Sequence, residues 1–201
     1  MAEKWIDSYL KRPNAKLLIR VDDEFLQNTF NITGIKPKMR YFNPAYELIR
    51  RNTITSARGE IDRETASEEA EILYGYIHAR FLLTKPGMQQ MFEKYQNNEF
   101  QQCPRVYCRA TQCIPFGISE EYGEKKVKMF CPCCRDIYDV IDPDTKNLDG
   151  SSFGPSWVHM FLQKYPTIVP KDPPRVYVPK IYGFRICHSS DAESDYSEYS
   201  D

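Results

Sequence analysis

Cys103-Pro104-Arg105-Val106-Tyr107-Cys108, answered by Cys131-Pro132-Cys133-Cys134, decides the fold. The spacing C-x4-C-x22-C-x2-C is that of a four-thiolate zinc ribbon, in which two tight turns each supply a pair of cysteines to one tetrahedral ion. Glu124 to Met129 (EKKVKM) leads through Phe130 into the second pair as a ribbon strand would. Two rival readings fit less well. A redox pair at Cys131 and Cys134 belongs beside a βαβ pattern, and nothing in residues 100–140 reads as a crossover helix. A disulfide framework suits short secreted chains, whereas MAEKWIDSYLKRP carries no apolar leader and the seven cysteines are odd in number. The chain is expected to be intracellular and reduced. Spacing alone does not choose the ligands cleanly. Cys113 repeats the x4 interval after Cys108, and Cys133 lies inside the second pair, the nearer substitute ligand; both are read as free thiols.

Working outward, 201 residues suffice for one core plus a small second module. A net charge of −1 argues against a dedicated nucleic-acid binder. Charge is unevenly placed: residues 189–201 hold five acidic groups and no basic ones, leaving +4 on the rest. No apolar run approaches the ~20 residues of a membrane span. Asn31-Ile32-Thr33 matches a glycosylation acceptor that means nothing without secretion.

Before the cysteines the chain reads as helical throughout 1–98. Trp5 to Leu10 gives one or two turns, and Asn14 to Val21 is extended in character. Asp22 and Asp23 offer caps for a helix through Phe25, Leu26 and Phe30 to Gly34. Pro44 opens a helix over Ala45 to Arg51, and residues 52–64 read as a loop. The strongest helix is expected from a Ser67 cap, with Ala70, Leu73, Ile77 and Phe81 at helical spacing. Gly75 in its middle costs about 1 kcal/mol against Ala and points to a close neighbour. His78 is read as a hydrogen-bonded core histidine. Pro86 opens a further helix bearing Met88, Met91, Phe92 and Tyr95. The ribbon occupies 99–165, including turn signals over 139–157 and a short helix from Trp157 to Tyr165. Residues 166–188 form an extended proline-rich arm ending in Tyr182-Gly183-Phe184-Arg185-Ile186, and 189–201 an acidic tail with no expectation of order. The class is therefore α+β: an all-helical N-terminal domain, a four-cysteine zinc ribbon and an extended C-terminal arm.

Catalytic motifs are missing. There is no nucleophile elbow, phosphate-binding glycine loop or paired kinase signature, and His78, His159 and His188 fall in unrelated contexts. Four cysteines close a metal to substrate, so the ion is structural and the chain is expected not to be an enzyme.

Several motifs resemble the regulatory beta subunit of casein kinase II. Cys103 to Cys108 (CPRVYC) is nearly a signature of that family. Leu73 to Arg80 (LYGYIHAR) looks like its central helix, and Val21 to Phe25 followed by Phe30 to Gly34 like its N-terminal helix and turn. Lys94-Tyr95 and Tyr182-Gly183-Phe184 follow in family order, so the resemblance runs from about Trp5 to His188. It implies one structural zinc on Cys103, Cys108, Cys131 and Cys134, and a ribbon that dimerises the subunit through Pro104, Val106, Ile137 and Tyr138. It implies docking on catalytic alpha subunits through Tyr182 and Phe184, both rings on one side of an extended segment. The function implied is a non-catalytic regulator that stabilises the kinase and modulates its choice of substrate. The chain would act as a homodimer or a mixed dimer with another beta subunit, in cytoplasm and nucleus. Residues 50–64 depart from the family, which has an acidic loop there: they carry a net +1 and should not attract polyamines. MAEKW lacks the family's serine–acid cluster, while Ser190, followed by Asp191 and Glu193, fits an acid-directed phosphorylation site. The competing readings are a zinc ribbon that binds nucleic acid through Lys125, Lys126 and Lys128, a dimerising module that no longer binds the kinase, and a redox enzyme on Cys131 and Cys134.

Overall fold

In the computed structural model, which describes residues 3–53, 61–172 and 177–186, the elements arrange around one long helix. Six α-helices are defined over the described residues: α1 (Trp5–Leu10), α2 (Asp23–Gln27), α3 (Phe42–Arg51), α4 (Arg63–Leu82), α5 (Lys85–Gln96) and α6 (Trp157–Lys164). The strands β1 (Ile114–Phe116), β2 (Lys128–Phe130) and β3 (Ile137–Asp139) form an antiparallel sheet in sequence order, and β4 (Lys180–Ile181) pairs with β5 (Phe184–Arg185). The α+β class and the helix-then-ribbon order are as expected.

α4 runs for 20 residues and is buried around most of its circumference, with Leu73, Tyr74, Ile77 and Phe81 fully covered. Such a helix has no solvent face to reserve for charges beyond its first two turns. It begins earlier than expected. Asp62, not Ser67, is the cap, its carboxylate accepting from the Thr65 amide at 3.0 Å. Ser67 lies within the helix, where its hydroxyl accepts from the Trp5 indole at 3.0 Å. α5 starts where Pro86 indicated, with the Thr84 hydroxyl accepting from the Gly87 amide.

Elsewhere the N-terminal half departs from simple periodicity. The helix expected to reach Gly34 stops at Gln27, because the Asn28 side chain takes the Phe30 amide at 3.0 Å and starts a separate 3-10 turn, Thr29–Ile32. Phe30 is consequently 80% exposed. Pro13–Ala15 also turns as a 3-10 helix before the chain extends along α4. That extended stretch, Leu17 to Val21, joins no sheet. Its polar backbone is met by α4 side chains instead: the Tyr74 hydroxyl donates to Ile19 O at 2.8 Å and accepts from Val21 N at 3.1 Å. His78 Nε2 accepts from Ile19 N at 3.1 Å.

The ribbon is attached to this layer by the turn Gly150–Ser152. The Nδ1 atom of His78 bonds Ser152 O at 2.6 Å, and a Cβ placed on Gly75 would lie 2.7 Å from Ser152 Oγ. Gly75 is thus the close approach its position in a helix implied. α6 then covers β1, its Trp157 indole donating to Pro115 O at 3.0 Å. One contiguous set of buried side chains runs from Trp5 through α4 to Met129, Trp157 and Ile168.

The arm differs from a plain extended segment. Pro166–Ile168 makes a 3-10 turn, and the segment ends in the β4–β5 hairpin. Tyr182 (φ 49) and Gly183 (φ 88) are the two residues of its turn, both left-handed as such tight hairpins require.

Candidate metal centre and exposed hairpin

Each cysteine pair sits on a turn that folds the backbone around sulfur. In the first, the chain leaves Cys108 through Arg109 (φ 52) and Ala110 (φ 56); in the second it leaves Cys134 through Arg135 (φ 60). Left-handed backbone at non-glycine residues costs on the order of 1 kcal/mol each, and persists only where the surroundings impose it. The second turn is closed by Arg135 N donating to Cys131 O at 2.8 Å. Main-chain bonds from Cys103 N to Thr111 O and from Cys113 N to Gln101 O, both 2.8 Å, tie the first turn to the approach to β1.

The sulfurs of Cys103, Cys108, Cys131 and Cys134 all lie within 4.8 Å of one another, an arrangement able to hold a metal ion. Cys103 and Cys134 are 3.9 Å apart, against about 3.8 Å for the edge of a tetrahedron with 2.3 Å zinc–sulfur bonds. The donor chemistry fits as well. Burial pushes the Cys103 thiol up, partly offset by the Arg105 amide two residues on, while the Cys133 amide in the second turn points at Cys131 and favours its thiolate. Cys131 is held near 4, first by a hydrogen bond from Cys113 and then by the Cys133 and Cys134 amides, which outweigh its burial. Burial and the neighbouring sulfurs push Cys108 upward.

The remaining cysteines separate cleanly. Cys113 is buried and touches Cys131 from outside the quartet, and Cys133 is half-buried and also stands outside it. Cys187 lies outside the described residues, as do His188 and Ser190. Pro104 and Val106 project from the first turn, Val106 85% exposed, and Ile137 is exposed beside the second. Tyr138 is half-buried, with its hydroxyl 3.2 Å from Cys134 Sγ. Lys128 is engaged by Asp139 on the neighbouring strand. His78 is fully buried in the helical layer and His159 is exposed beside Phe116 and Phe130, so neither approaches the sulfurs.

The hairpin projects Tyr182, 97% exposed, and Phe184, 79% exposed. The two rings stand on the turn and on the strand after it, not at alternate positions of one strand. Sequence reading missed two things here. One is the Tyr107–Tyr177 ring contact, centroids 6.4 Å apart, which rests the arm on the first cysteine turn. The other is the exposure of Ile141 at 71%, hidden among turn residues.

A helical layer, a ribbon whose four clustered thiols could hold a metal ion, and an exposed aromatic hairpin together define the class of fold. The chain belongs to the casein kinase II regulatory subunit family, whose model matches residues 4–185. It is 36% identical over 189 residues to casein kinase II subunit beta-2 of Schizosaccharomyces pombe, covering 92% of this chain and 74% of that one. The subunit beta of Dictyostelium discoideum is 35% identical over 186 residues, 92% of this chain and 69% of that one. The subunit beta′ of Drosophila melanogaster is 36% identical over 182 residues, 90% of this chain and 83% of that one. That family is one of regulatory, not catalytic, subunits.

Proposed function

We propose that this chain is a non-catalytic subunit that docks on casein kinase II catalytic subunits through Tyr182 and Phe184, stabilises them and shifts their choice of substrate. The observation that carries this is the presentation of both rings to solvent at a tight hairpin, in a family of kinase regulatory subunits. Large exposed aromatics on a short ordered hairpin are poor in self-contacts and suited to enter pockets on a partner.

The four-sulfur site takes one structural zinc, held by Cys103, Cys108, Cys131 and Cys134, whose binding energy is shared with ribbon folding. Pro104, Val106, Ile137 and Tyr138 form the contact with a second beta subunit, the same chain or another, because a ribbon of three-residue strands has little core of its own. The helical layer (1–98), ribbon (99–165) and arm (166–188) thereby divide support, dimerisation and docking, with the acidic tail (189–201) beyond them. The subunit works in cytoplasm and nucleus, and Ser190 is a phosphorylation site of the associated kinase, checked by intact mass after incubation with ATP. The nucleic-acid reading loses ground, since Lys128 is occupied by Asp139.

Calorimetric titration into the catalytic subunit tests the docking. Two anchors at about 2 kcal/mol each place the Tyr182→Ala/Phe184→Ala variant roughly a thousandfold weaker. Equal affinity of wild type and variant would sink the assignment, as would no binding by the zinc-loaded wild type.

A further inference from the structure

A cleft opens where the 3-10 turn Lys36–Lys38, α4, the turn Gly150–Ser152 and the start of α6 meet. It encloses about 230 Å³ and shares no residue with the cysteine quartet or the aromatic hairpin. Its floor is apolar, with Ala79 and Leu83 on one side and Phe153 and Trp157 on the other. The Trp157 N–H is already taken by Pro115 O, so the indole offers the cleft carbon only.

Three polar features of its walls lack the partners they call for. Ser151 is 3% exposed; its amide donates to Asp149 Oδ1 at 3.0 Å, but its hydroxyl bonds no other described residue. Buried hydroxyls are nearly always paired, so one left open on a cavity calls for a guest. Arg80 is half-buried and donates from Nη1 to Asn31 O at 2.7 Å, yet forms no ion pair with another described residue. Lys38, beside it, is already held by Glu121 at 2.5 Å and lies 5.4 Å from the centre of the Tyr76 ring. Lastly, the Ser156 side chain caps nothing, and the Trp157, Val158 and His159 amides that open α6 meet no acceptor among the described residues. A guanidinium, a hydroxyl and a helix start on one cleft all favour an anionic oxygen.

We propose that this cleft binds a small organic monocarboxylate, its oxygens held by Arg80 and the Ser151 hydroxyl and its apolar body laid against Leu83, Phe153 and Trp157. The walls set the charge of the guest: Lys38 and Arg80 against Glu120 leave one positive charge to be met. The volume sets its size, below that of a drug-sized ligand and suited to about ten non-hydrogen atoms. A free acid fits better than the end of a peptide. The lining residues lie on helices and turns, with no strand edge among them to pair a peptide backbone. This inference does not depend on kinase docking, dimerisation or the metal.

The test titrates the full zinc-loaded chain with phenylacetate, and with phenylacetamide as its uncharged counterpart, following broadening of the ligand's proton NMR lines. Wild type should bind phenylacetate with a Kd on the order of 1 mM, and the amide about tenfold more weakly. Arg80→Gln should weaken binding of the acid about tenfold and Ser151→Ala about threefold, with the amide unaffected by either. Ser151→Ala removes a hydroxyl that has no partner among the described residues, so it should fold as wild type does and reads the site even if Arg80→Gln misfolds. Equal affinity of wild type for acid and amide would overturn the proposal, as would undiminished binding of the acid by Ser151→Ala. So would about tenfold tighter binding of an N-acetylated dipeptide ending in a free phenylalanine carboxylate, which would make the natural guest a chain end.

Discussion

Acidification should destabilise this protein through His78 before any exposed histidine matters. His78 is fully buried on α4, with Nδ1–H donating to Ser152 O and Nε2 accepting from the Ile19 amide. That assignment satisfies the neutral ring completely. A proton added at Nε2 would face an N–H and break the contact, and no carboxylate among the described residues bears on the ring to receive the charge. Burial therefore holds His78 near 4, with a smaller push in the same direction from Lys94, against an ordinary 6.5. Between those values the unfolded chain takes up a proton that the folded chain refuses, so stability is full above pH 6.5 and drains as pH falls. The loss from this one group is about 2 kcal/mol by pH 5 and about 3 kcal/mol by pH 4. Protonation of the cysteine site also acts in acid, so the measurement is a difference: urea unfolding of wild type and His78→Gln at fixed chain concentration from pH 7.5 to 4. At neutral pH the variant is weaker by about 2 kcal/mol for the lost acceptor at Ile19. That deficit should shrink and then reverse as pH falls. Parallel curves across the range would refute the reasoning, since they would mean that His78 is charged, or equally solvated, in both states.

Three further outcomes follow from the same geometry. Gly75→Ala gains about 1 kcal/mol of helix propensity but loses about 1–3 kcal/mol by forcing Ser152 Oγ aside, a net destabilisation; in a Ser152→Ala background the same change should stabilise by about 1 kcal/mol in urea unfolding. Gly117→Ala has no such rescue, because its Cβ would fall 1.9 Å from Gly150 O and 2.7 Å from Gly154 N, both backbone, and it should cost about 3 kcal/mol or more by thermal unfolding. Cys113→Ser should retain one metal per chain by elemental analysis while Cys108→Ser loses it, which sets the quartet apart from its neighbouring thiol.

Much of this was readable from residues alone, and the exceptions share a cause. α4 was legible because apolar residues recur along it, and the ribbon because thiolate spacing answers to the size of a metal ion. The start of α4 was not, since Asp62 and Ser67 are both good caps and only the position of Trp5, far away in sequence, assigns Ser67 another task. The end of α2 turned on one Asn28 side chain bonding its local backbone, an event with no periodicity to betray it. At the cysteine turns glycine would have announced left-handed backbone; Arg109, Ala110 and Arg135 adopt it without that signal. Tyr182 hid the hairpin in the same way, by occupying a turn position usually given to Asn, Asp or Gly. Cys113 was ambiguous because spacing counts residues and takes no account of direction.

The junction of α4 with the turn at Ser152 also sets a timetable. His78 and the carbonyl that completes its hydrogen bonding are 74 positions apart in the chain. At about 5–20 residues per second, a ribosome needs roughly 4–15 s to deliver Ser152 after His78 has been made. During that interval the central helix has its Tyr74 partners from Ile19 and Val21 already available, yet the flank around Gly75 and His78 waits uncovered. A nascent chain arrested between these two points would therefore present a helical layer with one open side, and that is the stage at which chaperone capture or miscoupling with another nascent chain would act.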